Sequence, residues 1–280
     1  MNGQSRWTRW AGSLLIVLAV AIFALFPLYW IVVTSLKEPG TEFRLPIEYW
    51  PVDPSLEAYR TVLGPGFRIQ NAIKNSLIVS SAVTVGTLLL GALAAYTIAR
   101  LRFRHKLSSL IFIQTAGMIP AIVVIAPTFV LIRALGLRAT LAGMILPNIA
   151  YNLPMTTWLL ASYFAGLPFE LEDAAKVDGR PPLRIFWEII LPLAAPGLFS
   201  AGVLAFLGSW GEFMLAFTIS LGLPRVQTVP VAILSFSQAF ELQWSWIAAG
   251  IVLSLLPVIV LVLIFQRRVV RGLTSGALKY

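Results

Sequence analysis

Six long apolar segments constrain the fold of this chain more than any other feature of its sequence. They cover residues 11–35, 75–99, 107–132, 141–165, 189–220 and 247–265. Crossing a bilayer as an α-helix takes about 20 predominantly apolar residues, a length that each segment approaches or exceeds. Charged residues make up 12% of the chain and its mean hydropathy is +0.85, whereas soluble domains carry about 25% charged residues. The sequence therefore predicts an all-α integral membrane protein with a single transmembrane domain over residues 1–280.

The first apolar segment follows two basic residues, Arg6 and Arg9, as the apolar region of a signal peptide would. Its length exceeds the 7–15 residues that are typical of such a region. We therefore expect an uncleaved first span.

Lys and Arg residues set the predicted orientation. With the N-terminus inside, thirteen of the 21 bases fall in cytoplasmic segments, mostly in short loops and at the chain ends. Five of the other eight are spread over one long loop between the first two spans. The positive-inside rule then predicts that both termini lie in the cytoplasm.

The loop at residues 166–188, between the fourth and fifth spans, is the least membrane-like part of the chain. Three acids, Glu170, Glu172 and Asp173, stand where a helix start favours negative charge, and Lys176 follows Glu172 at a spacing that allows an ion pair. Gly179 is a typical helix stop. The loop therefore predicts a helix of about nine residues, about 13 Å long.

One face of this predicted helix carries small residues. Leu171, Ala174, Ala175 and Asp178 fall on or near it. Small side chains let the backbone of a partner approach closely. A helix lying among lipid headgroups would instead need a large apolar face and a basic one.

The sequence contains none of the common nucleotide-binding or catalytic motifs. There is no GxxxxGK[ST] phosphate loop and no H-E-x-x-H or GxSxG motif, so we expect neither an enzyme nor a bound cofactor. The absence of cysteine rules out disulfides and thiolate metal sites, and the lone His105 lies in a basic loop. The net charge of +9 does not indicate nucleic-acid binding, because its bases are scattered between apolar segments.

Two groups of polar residues inside the spans each allow two interpretations. Glu212 either lies at the outer membrane interface, about 34 Å along a straight helix from Ile189, or lines a solute pathway beside Trp210. Asn148, Tyr151 and Asn152 either bond neighbouring helices or line the same pathway. Either way, a transport bundle without an energy source would have to receive energy from a partner that docks on the loop helix.

The loop resembles the cytoplasmic EAA loop of bacterial ABC-importer permeases. That pattern is E-A-A, three residues, G, nine residues and I-x-L-P; here it reads Asp173-Ala174-Ala175, Gly179, and Ile189 with Leu191 and Pro192. Both spacings are kept, and Asp173 replaces Glu with the same charge.

Other segments are similar to the maltose-type carbohydrate permeases. These are Asn75-Ser76-Leu77, Ala94-Ala95-Tyr96 with Ala99-Arg100, Leu135-Gly136-Leu137, Trp210 with Glu212 and Phe213, and the tail Arg271-Gly272-Leu273-Thr274 with Gly276, Ala277 and Lys279. Gly211 departs from the Asn that this family often has.

The resemblance implies a multi-pass permease subunit in a bacterial cytoplasmic membrane, forming half of a sugar pathway. Its implied partners are a second homologous permease subunit, two copies of a cytoplasmic ABC ATPase and an extracytoplasmic solute-binding protein. It implies that the loop helix is the coupling helix, with ATPase-coupling residues Glu170, Leu171, Glu172, Asp173, Ala174, Ala175, Asp178 and Gly179. It also implies a C-terminal ATPase contact through Thr274, Gly276 and Lys279.

Three alternatives stay open at this point. The solute could be a polyol, glycerol phosphate or amino acid instead of a sugar. The chain could be a structural membrane subunit without a pathway. It could also be a secondary carrier, although five of its six predicted spans have no acidic residue.

Overall fold

The computed structural model describes residues 4–238 and 241–277, and α-helices form most of this part of the chain. Its helices are α1 (Gln4–Ser35), α2 (Glu57–Leu63), α3 (Ile69–Arg100), α4 (Lys106–Gly117), α5 (Ala121–Ala134), α6 (Ala142–Ala165), α7 (Glu170–Val177), α8 (Pro182–Ile185), α9 (Leu191–Leu193), α10 (Ala195–Trp210), α11 (Met214–Ser220), α12 (Val229–Leu234) and α13 (Trp244–Ala277). A π-helical turn, Phe186–Ile190, joins α8 to α9, and Pro224–Val226 forms a 3₁₀ turn. Two short strands, β1 (Ser237–Gln238) and β2 (Glu241–Leu242), pair antiparallel. The predicted all-α class is confirmed.

Three described helical stretches are long and apolar enough to cross a membrane, namely Gly12–Ser35, Ile69–Arg100 and Trp244–Phe265. The number rises to five if each of two bent helix pairs is one span. Helix α6 has 24 residues and would reach about 36 Å. It is not among these stretches, and Asn148 and Asn152 lower its hydropathy. The count of six spans stays a prediction.

The third apolar segment is not the single helix that residues 107–132 predict. Helices α4 and α5 meet at 89° across a short break. Pro120 occupies the N-cap of α5 with an extended backbone, at φ −57° and ψ 132°. Its preceding residue is disfavoured in the helical region, so a helix tends to end there.

The fifth apolar segment, 189–220, is also broken. The helical stretch Pro182–Leu193 meets α10 at an angle of 80°, with Ala194 between them. Pro192 and Pro196 flank this bend, and neither can donate the backbone hydrogen bond that a continuous helix would need. A second break separates α10 from α11 at residues 211–213. The distance of about 34 Å that a straight helix gives between Ile189 and Glu212 is therefore wrong, because the backbone between them bends.

The chain divides into two compact units. One comprises residues 1–70 and 232–256, and the other residues 71–231 and 257–280. In the first unit, the segment after α1 is held by specific contacts: Tyr59 Oη lies 2.7 Å from Ser35 Oγ, and Glu42 accepts a 2.9 Å hydrogen bond from the amide of Ser245. The expected single domain stays a prediction.

Glycines allow three helices of the second unit to pack closely. A Cβ atom at Gly197 of α10 would lie 2.5 Å from the Tyr163 ring of α6. A Cβ at Gly91 of α3 would lie 3.0 Å from Thr156 of α6. Small residues at such contacts are typical of helix packing in membranes, where close backbone approach replaces hydrophobic burial from water.

Candidate functional site

Helix α7 is the short helix that the loop sequence predicts. It has eight residues, and it stops at Gly179, whose φ of +77° disfavours any residue with a Cβ. The Gly179 amide donates to Lys176 O at 2.9 Å and the Arg180 amide donates to Ala175 O at 3.0 Å. These two bonds form a Schellman motif, which satisfies carbonyls at the helix end. Pro168 lies just outside the helix.

The inner face of α7 is fixed by a buried ion pair. Glu172 is 1% exposed, and its Oε1 accepts a hydrogen bond from Nε of Arg100, the last residue of α3. Lys176, which the spacing pairs with Glu172, instead contacts Asp173 Oδ1 at 2.9 Å. Glu172 is unavailable to Lys176 because its side chain faces inward.

The Arg100 guanidinium also holds the backbone that leads into α7. Its Nη1 donates to Leu167 O at 2.9 Å and to Phe164 O at 3.3 Å, and its Nη2 donates to Pro168 O at 3.0 Å. The Phe169 ring lies under the guanidinium, 3.7 Å from its carbon, in a cation–π contact. A buried charge that is paired and hydrogen-bonded in this way is strongly destabilising when its partner is removed, by about 3–5 kcal/mol.

The inner face of α7 also packs on an apolar cluster. Ala175 packs with Tyr96, Ile185 and Phe186 in one buried cluster. The Tyr96 and Phe186 rings are 5.1 Å apart, and Tyr96 Oη donates to Pro182 O at 3.3 Å. The loop therefore packs on the end of α3 on both sides of Gly179.

Burial divides the predicted coupling set into two groups. Glu172 and Ala175 face the chain's own core, so neither side chain is open to a partner in this conformation. Of the predicted face, Leu171, Ala174 and Asp178 are exposed and Ala175 is buried, and the coupling role of these residues stays a prediction. Six of the eight predicted residues lie on the exposed surface: Glu170, Leu171, Asp173, Ala174, Asp178 and Gly179.

The exposed surface of α7 combines apolar and acidic groups. Val177 is 88% exposed and Leu171 is exposed as well. Lys176 lowers the pKa of Asp173, mainly through its hydrogen bond to the carboxylate. Farther along the loop, Glu188 accepts 2.7 Å hydrogen bonds from Arg180 and Arg184, and the bond from Arg184 is the main reason that its pKa is lowered.

Four of the five predicted pathway residues meet at a small cavity. It has a volume of about 170 Å³ and is lined by Ala121, Ile125, Asn148, Tyr151, Asn152, Gly208, Glu212, Met214 and Leu215. Asn152 Nδ2 donates to Asn148 Oδ1 at 3.0 Å, which orients both amides. A Cβ on Gly208 would lie 3.1 Å from Asn152 Oδ1, so this glycine keeps the approach to the amide narrow.

Glu212 reaches the cavity because α10 ends before it. Its carboxylate accepts hydrogen bonds from the amides of Leu215 at 2.7 Å and Ala216 at 3.0 Å, at the start of α11. A carboxylate there satisfies amides that have no partner within the helix. Trp210 does not line this cavity; it is buried, and its ring stacks on Phe206 at 5.7 Å.

The sequence does not predict the anchoring role of Arg100, and part of the predicted C-terminal contact lies outside the described residues. The sequence marks Arg100 only as a base on the predicted inside and as part of a family motif, and its place at the end of a long apolar segment is the one signal of a buried partner. Thr274 and Gly276 fall within the backbone of α13, and Lys279 lies outside the described residues.

Comparison with known proteins agrees with the resemblance drawn from the loop motif. Residues 87–275 match the family described as "Binding-protein-dependent transport system inner membrane component". The chain is 40% identical to the trehalose transport system permease protein SugB of Mycobacterium tuberculosis, over 99% of both chains. It is 38% identical to the trehalose/maltose transport system permease protein MalG of Thermococcus litoralis, over 95% of this chain and 96% of the relative. It is also 37% identical to the sulfoquinovosyl glycerol transport system permease protein SmoH of Agrobacterium fabrum, over 91% and 89%.

A solved structure shares the fold. One chain of a bacterial ABC transporter involved in the import of the acidic polysaccharide alginate superposes with a TM-score of 0.78, at 22% identity, covering 95% of this chain and 98% of that one. At this identity the likeness concerns the fold alone. The family match and the full-length relatives carry the assignment: the chain belongs to the family of inner membrane components of binding-protein-dependent transport systems.

Proposed function

We propose that this chain is a membrane-spanning subunit of an ATP-driven importer and forms half of the pathway for a mono-, di- or oligosaccharide. The observation that carries the proposal is α7, a short helix whose inner face is anchored by Arg100 and whose outer face is open. The relatives named for trehalose, maltose and sulfoquinovosyl glycerol transport support a sugar over an amino acid or glycerol phosphate.

Transport then requires several partners. A second, homologous permease subunit supplies the other half of the pathway, and two copies of a cytoplasmic ABC ATPase supply the energy. A solute-binding protein delivers the sugar from outside. Both termini lie in the cytoplasm, and the tail with Thr274, Gly276 and Lys279 is a second contact for the ATPase.

The outer face of α7 is the docking surface in this proposal. Leu171 and Val177 offer apolar contact area, and Glu170, Asp173 and Asp178 surround them with negative charge. Such a surface fits a cleft with an apolar floor and basic edges, because complementary charges steer association and suppress wrong partners. Closure of the ATPases on ATP would push this helix and switch the pathway from inward-facing to outward-facing.

Crosslinking tests the docking surface directly. The chain has no cysteine, so Ala174→Cys introduces a unique thiol on the exposed face. In membranes that contain the assembled complex, we expect it to crosslink to an ATPase that carries an engineered cysteine in its cleft. Ala175→Cys is the matched control, one residue away but buried, and should not crosslink. Equal crosslinking of the two variants, or none with Ala174→Cys, would refute docking through this face.

The polar cavity is the proposed contact of this subunit with its solute. Asn148, Asn152, Tyr151 and Glu212 supply amide, hydroxyl and carboxylate groups, the chemistry that binds sugar hydroxyls. Uptake of labelled trehalose, maltose, glycerol 3-phosphate and an amino acid by the complete complex tests both solute and pathway. Asn152→Ala should weaken uptake of the transported sugar; uptake of glycerol 3-phosphate or the amino acid alone would reject the sugar assignment.

A further inference from the structure

We propose that Arg100 is a positioning residue that joins α7 to α3 and transmits the displacement of α7 to the membrane-spanning helices. The proposal rests on the function proposed above, in which an ATPase moves α7. It concerns the step after docking: how a movement outside the membrane reaches the pathway.

The bonds of Arg100 define what must move together. Its guanidinium contacts one carboxylate and three carbonyls, which belong to Glu172 and to Phe164, Leu167 and Pro168. These acceptors run from the end of α6 into α7 without a gap longer than four residues. Glu172 belongs to α7 itself, whereas the three carbonyls belong to the end of α6 and to the residues that lead into α7. A displacement of α7 therefore either breaks the buried bond between Arg100 and Glu172 or carries the end of α3 with it.

Arginine suits this task better than lysine. Its planar guanidinium has five N–H donors in a fixed arrangement, whereas an ammonium is a compact point charge on a flexible stem. Arg100 uses all three nitrogens, and the Phe169 ring covers one face of the group. A lysine at this position would keep the charge but could not hold four acceptors and the ring together.

The remaining ion pairs of the described chain cannot play the same part. Lys176–Asp173, Arg180–Glu188 and Arg184–Glu188 are solvent-exposed, and exposed pairs contribute little and rearrange easily. The side chain of Arg100 is 0% exposed and that of Glu172 is 1% exposed. A buried pair is screened much less than an exposed one.

Helix α3 offers a short route from Arg100 to the polar cavity. Gly91 lies against Thr156 of α6, and a Cβ on Gly86 would lie 2.5 Å from Ile149, next to Asn148. Gly86 is about 21 Å from Arg100 along the helix, at 1.5 Å per residue. Because α3 and α6 are in close contact at these glycines, a shift at Arg100 displaces the part of α6 that carries the cavity amides.

The test uses the complete complex in proteoliposomes, with the binding protein and ATP supplied. Arg100→Lys and Glu172→Gln are compared with Arg184→Gln, an exposed arginine of the same loop. Two quantities are measured for each: sugar imported per ATP hydrolysed, and the crosslinking yield of Ala174→Cys with the ATPase. We expect Arg100→Lys to lower the import ratio by about tenfold or more, within the range typical of coupling between distant sites, and to retain crosslinking. Glu172→Gln should act in the same direction, and Arg184→Gln should leave both quantities unchanged.

Two results would overturn the proposal. Uptake and hydrolysis that fall in proportion would show that Arg100 only stabilises the fold, because the import ratio would not change. Loss of crosslinking in Arg100→Lys would show that the residue only sets the docking position. Failure of the proposed function is separate, since it would be seen in the unsubstituted complex as absent sugar uptake or absent crosslinking to the ATPase.

Discussion

Glu172 and Asp173 are neighbouring acids on one short helix, and their surroundings differ completely. Glu172 is buried against Arg100, whereas Asp173 is exposed beside Lys176. A helix turns by about 100° per residue, so adjacent side chains point in different directions. The same charge therefore anchors the helix at one position and faces solvent at the next.

Removal of the two carboxylates should have very different effects on stability. Glu172→Ala leaves the Arg100 charge buried and unpaired, and should lower the free energy of unfolding by about 3–5 kcal/mol. Asp173→Asn should leave it unchanged within error, because solvent screens the exposed pair. Thermal unfolding of the detergent-solubilised protein measures both. Equal unfolding midpoints for the two variants would contradict the anchor.

The charge of Asp173 is protected against mild acid. Lys176 donates a hydrogen bond to the carboxylate and lowers its pKa from the ordinary value of 3.8. A lowered pKa means that the stabilisation is present above the unfolded pKa and is lost as the pH falls through the folded pKa. Lys176→Gln should therefore raise the pKa of Asp173 towards its ordinary value, as followed by NMR titration of the carboxyl carbon. Arg180→Gln, which removes a charge from the same loop but leaves this hydrogen bond, should not do so.

At the scale of elements, the end of α7 depends on a backbone conformation. Gly179 has φ +77°, and no atom lies within 4 Å of the position where a Cβ would stand. A substitution at Gly179 therefore destabilises the protein through backbone strain in the left-handed region and not through a steric clash. For a residue with a Cβ this cost is about 1–2 kcal/mol.

Substitution of Gly179 should interrupt coupling more than insertion into the membrane. Gly179→Pro cannot adopt the positive φ and removes the amide bonded to Lys176 O, so we expect ATP-dependent uptake to be abolished while the protein still inserts. Gly136→Pro is the matched control: Gly136 also has a positive φ, of +70°, and its amide also bonds a helix-end carbonyl, that of Arg133. Normal uptake by the Gly179 variant, or equal losses in both, would argue against a specific role for the end of α7.

At the scale of the molecule, orientation in the membrane is the property on which the proposed partners depend. An ATPase can reach α7 only if the loop at 166–188 is cytoplasmic. The positive-inside rule predicts this, together with an outside location for the segment that follows α1.

Cysteine labelling would test the orientation, with no native cysteine to interfere. Asp53→Cys should react with a membrane-impermeant maleimide in intact spheroplasts, and Lys176→Cys should react only after permeabilisation. Both positions are exposed in the structure, so access to the reagent depends on the side of the membrane. Labelling of Lys176→Cys in intact spheroplasts would reverse the topology and remove the docking proposal.

Local patterns in the sequence determined the class of protein, the apolar segments and the short acidic helix with its stop at Gly179. These features depend on composition, on residue spacing and on the backbone freedom of one glycine, all of which are local. The resemblance of the loop motif also predicted the family.

Only the tertiary structure decided which acid of α7 faces inward, where the apolar segments bend, and which polar residues share a cavity. The buried acid and the shared cavity depend on residues far apart in the chain: Arg100 bonds Glu172, and Asn148 and Asn152 line one cavity with Glu212. Hydropathy treats a run such as 189–220 as one helix, because it cannot register that prolines beside Ala194 redirect the backbone. The short helix could be predicted from local sequence patterns, whereas its attachment to α3 depends on tertiary contacts.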